Sequence, residues 1–170
     1  MTYNFRPAFL SEILQISLVL KQVYLETYGI EGVSKLFADF INEQFSEEKI
    51  KREMESADFD FWVATCNDNP IGVLKVAYNL PCPNADFSAT EINKLYIMRR
   101  FFKKGIGRRL MAFAEKALKE KGEEKVWLQV WAENDGAIEF YKKEGYEVLS
   151  DVWFWIEENK YPNKVLVKNL

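Results

Sequence analysis

Two stretches of this 170-residue sequence combine residue types that bind a ligand or move a proton. The first runs from a predicted strand, Leu95-Tyr96-Ile97, through a basic turn into a predicted helix that begins near Gly105-Ile106-Gly107. Unpaired N–H groups of a first helical turn, together with the helix dipole, attract anions, and glycines let an anion approach the backbone. The junction therefore indicates a phosphate site, with a plain glycine turn surrounded by solvated basic side chains as the alternative.

The same junction excludes two common phosphate motifs. No Gly-Lys-Ser/Thr follows the turn, so it is not a P-loop. A dinucleotide fingerprint needs a third glycine and an early position in a strand–helix–strand unit, and this sequence has neither.

The second stretch is a strand followed by a helix, from Leu128 to Tyr146. Asn134 is the predicted N-cap of that helix, and Tyr141 follows seven residues later. Seven residues are two helical turns, so both side chains lie along one side of the helix. Taken alone, this spacing leaves open whether Tyr141 packs in the core or uses its hydroxyl in chemistry.

Together the two stretches resemble the GCN5-related N-acetyltransferase (GNAT) superfamily. The first is similar to its acetyl-CoA pyrophosphate motif, Q/R-x-x-G-x-G/A, and the second to N-x-x-A-x-x-x-Y-x-x-x-G-[FY], in the family's order across Thr90 to Tyr146. Phe45-Ser46-Glu47-Glu48-Lys49-Ile50 and Lys94 to Ile97 further resemble the bacterial spermine/spermidine (polyamine) N-acetyltransferase branch.

The resemblance implies an acyltransferase that uses acetyl-CoA as co-substrate and no metal. It implies that the pantetheine arm lies along Leu95, Tyr96 and Ile97, and that Asn134 touches the cofactor. It implies that Tyr141 stands by the sulfur and protonates the departing thiolate. The pyrophosphate would lie on the backbone N–H groups of Phe102, Lys103, Lys104, Gly105, Ile106, Gly107 and Arg108.

Two positions depart from the family pattern. Phe102 stands where the family has Gln or Arg, and Lys103 stands where a small residue often follows. Backbone N–H groups hold most of the pyrophosphate, so Phe102 need not abolish binding. Lys103 puts the dihedral angles of the loop in question, because a Cβ atom disfavours positive φ.

The reaction that the resemblance implies needs a group to take a proton from the attacking amine. The chain has no histidine, so carboxylates or water must serve. Glu91, on the cofactor strand, is the leading candidate for this catalytic base, and an ordinary exposed strand residue is the alternative.

The acceptor is expected to be a small-molecule primary amine, with a polyamine as one candidate. Acidic residues in the N-terminal helical region favour a cationic acceptor or form a solvated face; they are Glu26, Glu31, Asp39, Glu43, Glu47 and Glu48. A protein or peptide amine, an aminoglycoside, a catalytically weak acyl-CoA-binding sensor and a plain interaction module are the rival interpretations.

Net charge and the absence of certain sequence patterns exclude several further classes of protein. A net charge of −3 disfavours a general nucleic-acid binder. No apolar stretch approaches the length of a membrane span, the N-terminal residues lack a signal-peptide pattern, and Cys66 and Cys82 lack metal or disulfide spacing. These features predict a cytoplasmic protein without a membrane partner. The oligomeric state stays open between a monomer and a homodimer.

The elements that must position these residues alternate between strands and helices, which predicts one α/β (α+β) domain over residues 1–170. The resemblance implies a mixed, mostly antiparallel central sheet flanked by helices and splayed at the acetyl-CoA site. Predicted strands cover Thr2–Arg6, Phe59–Cys66, Ile71–Tyr78, Thr90–Met98, Glu124–Ala132, Tyr146–Glu157 and Val165–Leu170. Helices are expected from Phe9 to Tyr28, over Val33–Ile41, after Ser46, from Gly105 to Gly122 and over Asn134–Lys143, with a loop at Asn79–Ser88 and a turn at Tyr161–Asn163.

Overall fold

The structure is a computed structural model that describes residues 1–156 and 158–170. It contains two compact units: residues 1–75 with 94–114, and residues 76–93 with 115–170. Seven strands follow the order β1-β2-β3-β4-β5-β7-β6, and β3 and β4 each contribute residues to both units. The mixed, mostly antiparallel α/β fold class is confirmed.

The first unit is built on an antiparallel strand pair. β1 (Tyr3–Pro7) pairs with β2 (Phe59–Cys66), and β3 (Asn69–Pro81) follows after a two-residue turn. Asn67 and Asp68 form that turn with φ of 49° and 66°, a left-handed conformation that Asn and Asp tolerate. β2 and β3 are therefore adjacent strands joined by a tight turn, and β3 begins at Asn69, two residues before the strand predicted from Ile71.

Three helices complete the N-terminal part of this unit: α1 (Ile13–Tyr28), α2 (Lys35–Gln44) and α3 (Glu47–Met54). The helix expected after Ser46 is α3, and Ser46 caps it, since its hydroxyl accepts the Lys49 N–H at 3.3 Å. The helices bury their apolar faces in a core with β2 and β3 that includes Ile16, Leu20, Ile41, Ile50, Val63 and Val73. No helix in the described part of the chain has the length and apolarity to cross a membrane.

The second unit contains β5 (Lys125–Trp131), β6 (Glu147–Ile156) and β7 (Asn159–Asn169), together with part of β4 (Ser88–Ile97). β5 runs parallel to β4 at Thr90–Val126 and Glu91–Trp127, and antiparallel to β7 along its whole length. α4 (Ile106–Glu120) ends in this unit, and α5 (Asp135–Lys143) lies within it. Cys82 packs here with Trp127 and Val165, and both cysteines of the chain are buried and unbonded.

Two sequence predictions about loops are wrong in part. β3 continues to Pro81 and β4 begins at Ser88, so the expected loop from Asn79 to Ser88 shrinks to residues 82–87. Asn79 makes this possible by taking φ of 53° inside the strand, which bends it without ending it. The short loop closes through a hydrogen bond from the Cys82 N–H to the Phe87 carbonyl at 3.0 Å.

The expected turn from Tyr161 to Asn163 is also wrong, because these residues belong to β7 and pair with β6. Pro162 fits there because it lies one position beyond the last β5–β7 pair, Trp131 with Asn163, where its missing N–H costs no ladder bond. Its carbonyl still accepts the Ala132 N–H at 2.8 Å. The predicted strand end at Glu157 lies outside the described residues.

Candidate active site

A left-handed turn connects β4 to α4 in the first unit. A single 3-10 turn covers Arg99–Phe101, and α4 begins at Ile106. Between them Lys103 has φ of 59° and Gly105 has φ of 71°. Glycine adopts this conformation without penalty, whereas Lys103 adopts it against the steric preference of its Cβ. The sequence had left open whether a lysine could adopt positive φ at this position, and Lys103 does adopt it.

The backbone N–H groups of this turn are available to an anion. The Phe102 N–H donates to the Arg99 carbonyl at 3.1 Å, and the Arg109 N–H donates to the Gly105 carbonyl at 3.1 Å, the first bond of α4. No group among residues 1–156 and 158–170 accepts a hydrogen bond from the backbone N–H groups of Lys103 to Gly107. Such donors at a helix start, beside the exposed Lys103 and Lys104, are suited to an anion, and their contact with the pyrophosphate of acetyl-CoA stays a prediction.

Aromatic rings support the basic side chains around the turn. The Arg109 guanidinium lies 4.5 Å from the centroid of the Phe5 ring, and the Lys104 ammonium lies 5.3 Å from the Phe101 ring. Phe101 in turn meets Tyr3 edge to face, at 6.4 Å between centroids. The Arg109 guanidinium is therefore stacked on Phe5 of β1.

The end of β4 is held close to β3 by a glycine that sequence reasoning missed. A Cβ atom at Gly72 would lie 3.1 Å from the Tyr96 carbonyl oxygen and would clash with the Ile97 side chain. The Met98 N–H also donates to the Ile71 carbonyl at 2.9 Å. A lone glycine inside a predicted strand was the available signal, because such a glycine often marks a close backbone approach.

Tyr96, in the predicted pantetheine strand, belongs to an aromatic cluster. Its ring lies 6.3 Å from Tyr24 and 6.4 Å from Phe45, and Tyr24 is also surrounded by three rings of α1 and α2: Tyr28, Phe37 and Phe40. Burial raises the pKa of the Tyr28 hydroxyl, and a hydrogen bond with Tyr96 opposes that rise. The rings of this cluster come from segments that are far apart in the sequence, so sequence reasoning did not identify it.

Asn134 caps α5 in the second unit, as predicted. Its Oδ1 accepts the Ala137 N–H at 3.1 Å, and its carbonyl accepts the Ile138 N–H at 3.0 Å. The side-chain oxygen is thus committed to the helix start. Contact of Asn134 with the cofactor stays a prediction.

Tyr141 lies near the other end of α5, on the last full turn before Gly145. Its half-buried ring packs at 5.3 Å from Phe140 and at 5.7 Å from Tyr146, both nearly perpendicular. Packing therefore accounts for part of the ring, while the rest is accessible. The proton-donor role that the resemblance implies for its hydroxyl stays a prediction.

Glu91 is not the exposed strand residue that was the alternative to its catalytic role. The residue is 9% exposed, and its Oε2 accepts a hydrogen bond from the Asn93 side-chain amide at 2.8 Å. Neighbouring Thr90 is fully buried and donates to Glu123 at 2.6 Å. A buried carboxylate with a neutral partner fits a base as well as a structural group, so its catalytic role stays a prediction.

The sequence profile of the Acetyltransferase (GNAT) family matches residues 24–146, a span that includes the left-handed turn, Asn134 and Tyr141. The chain belongs to this family. It is accordingly an acyltransferase, an N-acetyltransferase with acetyl-CoA as the acetyl donor.

Similar proteins cover nearly the whole chain. An uncharacterized N-acetyltransferase from the pepI 3' region of Lactobacillus delbrueckii subsp. lactis is 25% identical over 95% of this chain and 92% of its own. Spermidine N(1)-acetyltransferase of Thermoplasma acidophilum is 27% identical over 95% of this chain and 99% of its own. The crystal structure of the PaiA N-acetyltransferase from T. acidophilum, in complex with coenzyme A, has a TM-score of 0.81 at 23% identity and full coverage of both chains.

Proposed function

We propose that this N-acetyltransferase acetylates a primary amine of a small polyamine. Acetyl-CoA binding is supported by the left-handed turn from Lys103 to Gly105. The backbone N–H groups of Lys103 to Gly107 have no hydrogen-bond acceptor among the described residues. The T. acidophilum relative named for spermidine, similar along almost its full length, supports the acceptor class.

In this proposal the protein binds acetyl-CoA through its backbone. The N–H groups from Lys103 to Gly107 surround the pyrophosphate, and main-chain groups of Leu95, Tyr96 and Ile97 pair with the pantetheine arm as an added strand would. Lys103 and Lys104 contribute positive charge. Phe102 has its N–H bonded to the Arg99 carbonyl, and its side chain is 54% exposed beside the proposed ligand.

The proposed chemistry is direct transfer. The neutral amine nitrogen bonds to the thioester carbonyl carbon, the C–S bond breaks, and acetyl-CoA supplies the acetyl group. Tyr141 gives its hydroxyl proton to the departing sulfur. Glu91, directly or through water, takes the proton that the acceptor ammonium loses to become the neutral amine. The second proton, which the nitrogen loses as the amide forms, passes through water to the Tyr141 oxygen and restores its hydroxyl.

The aromatic cluster of the first unit suits a cationic acceptor. Tyr28, Phe37, Phe40 and Tyr96 pack against the core of this unit and are each only partly buried, and aromatic rings attract ammonium groups. The acidic residues give weaker support, because several of them already have a structural role. Asp39 forms an ion pair with Lys35, and Glu47 and Glu48 lie in the first turn of α3, where they interact favourably with the helix dipole. The aromatic surface therefore carries more of the argument for a polyamine than the acidic residues.

The test is CoA release from acetyl-CoA with a panel of amines: spermidine, spermine, lysine peptides, an N-terminal peptide and an aminoglycoside. We expect polyamines to give the highest kcat/KM, and Phe40→Ala to raise the KM for spermidine more than that for acetyl-CoA. Preference for a peptide or an aminoglycoside would contradict the acceptor class. Acetyl-CoA binding without turnover on any amine would indicate a sensor instead.

A further inference from the structure

We infer that buried Tyr146 is a positioning residue that holds Tyr141 where its hydroxyl can donate a proton. The inference rests on the acid role proposed above for Tyr141. The residues involved all belong to the second unit. An aromatic residue at this position would also serve as simple core packing, so the argument depends on what the Tyr146 hydroxyl does.

The backbone joins Tyr146 to Tyr141 directly. α5 ends in a Schellman motif: Gly145 has φ of 90°, its N–H donates to the Lys142 carbonyl at 3.1 Å, and the Tyr146 N–H donates to the Tyr141 carbonyl at 3.0 Å. The rings of Tyr141 and Tyr146 meet edge to face at 5.7 Å. A shift of Tyr146 must therefore move Tyr141.

The hydroxyl of Tyr146 anchors this pair to two other elements. It donates to Oε1 of Glu115 on α4 at 3.0 Å, and the Lys168 ammonium on β7 donates to both oxygens of Glu115 at 2.8 and 2.7 Å. The side chains of Glu115 and Lys168 are only 14% and 21% exposed, so solvent screens this ion pair weakly. The result is a continuous chain of contacts from β7 and α4 to the end of α5.

Tyr146 itself does not serve as the proton donor. It is 2% exposed, and its hydroxyl proton already points to a carboxylate. Burial and the adjacent Glu115 charge both raise the pKa of this hydroxyl above its ordinary value. Any effect of this hydroxyl on turnover must therefore pass through Tyr141, since the group neither reaches a ligand nor titrates near neutral pH.

A double-mutant cycle on the full-length chain separates positioning from packing. Tyr146→Phe keeps the ring and removes only the anchor, and it is combined with Tyr141→Phe. We expect Tyr146→Phe alone to lower kcat about three- to tenfold, less than the ~100-fold that a misplacement of 1 Å can cost, with an unchanged KM for acetyl-CoA. In the Tyr141→Phe background, where no hydroxyl is left to position, we expect no further loss.

Tyr78→Phe is the matched control. It removes a hydroxyl that accepts a hydrogen bond from Lys121 at 3.1 Å in the same unit, and we expect its kcat to equal that of the original protein. The same fold loss for Tyr146→Phe in both backgrounds, an unchanged kcat, or an equal loss in Tyr78→Phe would overturn the positioning role. Full turnover of Tyr141→Phe alone would instead refute the proposed acid, and the positioning role with it.

A second pair of variants covers the case in which Tyr146→Phe folds poorly. Glu115→Gln keeps an oxygen that accepts the Tyr146 hydroxyl and should retain kcat. Glu115→Ala removes that acceptor and should show the loss expected of Tyr146→Phe, again only when Tyr141 is present. Equal effects of the Gln and Ala variants on kcat would contradict the role of the hydroxyl.

Discussion

The left-handed conformation of Lys103 allows the effect of its backbone conformation on stability to be separated from the effect of its charge. Lys103→Gly and Lys103→Ala both remove the ammonium group, but only glycine also removes the Cβ that disfavours φ of 59°. Lys103 is exposed, so neither change leaves a cavity. The difference in stability between the two variants therefore measures the conformation of this one residue.

The size of that difference follows from two opposing effects. A non-glycine residue in the left-handed region costs about 1–2 kcal/mol, which glycine avoids. Glycine in turn gives the unfolded chain more freedom, which costs about 0.4–1 kcal/mol relative to alanine. We expect Lys103→Gly to be more stable than Lys103→Ala by roughly 1 kcal/mol, or about 2–4 °C in Tm for a domain of this size.

Thermal unfolding without ligand is the assay, and Lys104 provides the matched control. The φ of Lys104 is not positive, so glycine relieves no strain at that position. Lys104→Ala should therefore be more stable than Lys104→Gly. Both Lys103 variants should raise the KM for acetyl-CoA by a similar factor, because both lose the same charge. If Lys103→Ala equals or exceeds Lys103→Gly in Tm, the turn does not hold the proposed conformation.

Three further predictions concern other residues. Gly105→Val should abolish the rise in Tm that acetyl-CoA causes, whereas Gly122→Val, with similarly positive φ and equally open space around it, should keep that rise; loss in both would contradict a local site. Glu91→Gln should lower kcat about 10²-fold if Glu91 takes the proton, and an unchanged kcat would leave it a structural carboxylate. The Arg6 guanidinium lowers the pKa of Glu12, so this pair stabilises the fold above the ordinary pKa of 4.5 and loses its effect as the pH falls through the lowered value. Glu12→Gln should cost about 1.5–3 kcal/mol at pH 7 and progressively less as the pH falls below 4.5, and a cost that does not fall with pH would refute the pairing.

Features encoded in a few neighbouring residues could be predicted from the sequence. Ser46 and Asn134 cap their helices because a cap depends on a side chain and the next three N–H groups. Asn67-Asp68 forms a turn because both residues tolerate positive φ. The order and spacing of the two motifs identified the family for the same reason.

Features that depend on pairing between distant segments could not be predicted. Tyr161–Asn163 carries the signals of a turn, yet β6 and β5 on either side hold it as strand. Gly72 gave no sign of which strand approaches it. Glu115 looks like one more acid on a helix until Tyr146 and Lys168 fold against it. In each case the partner lies far away in sequence, beyond the reach of a local pattern.

Steady-state kinetics of Tyr141→Phe, measured together with acetyl-CoA binding, test the central claim most directly. The phenylalanine ring keeps the contacts of Tyr141 with Phe140 and Tyr146, so the rise in Tm caused by acetyl-CoA should be preserved. Loss of the proton donor should lower kcat by roughly 10²-fold, with at least a tenfold loss if water substitutes in part. Full turnover of the variant with a polyamine acceptor would contradict the mechanism and leave Tyr141 as a packing residue.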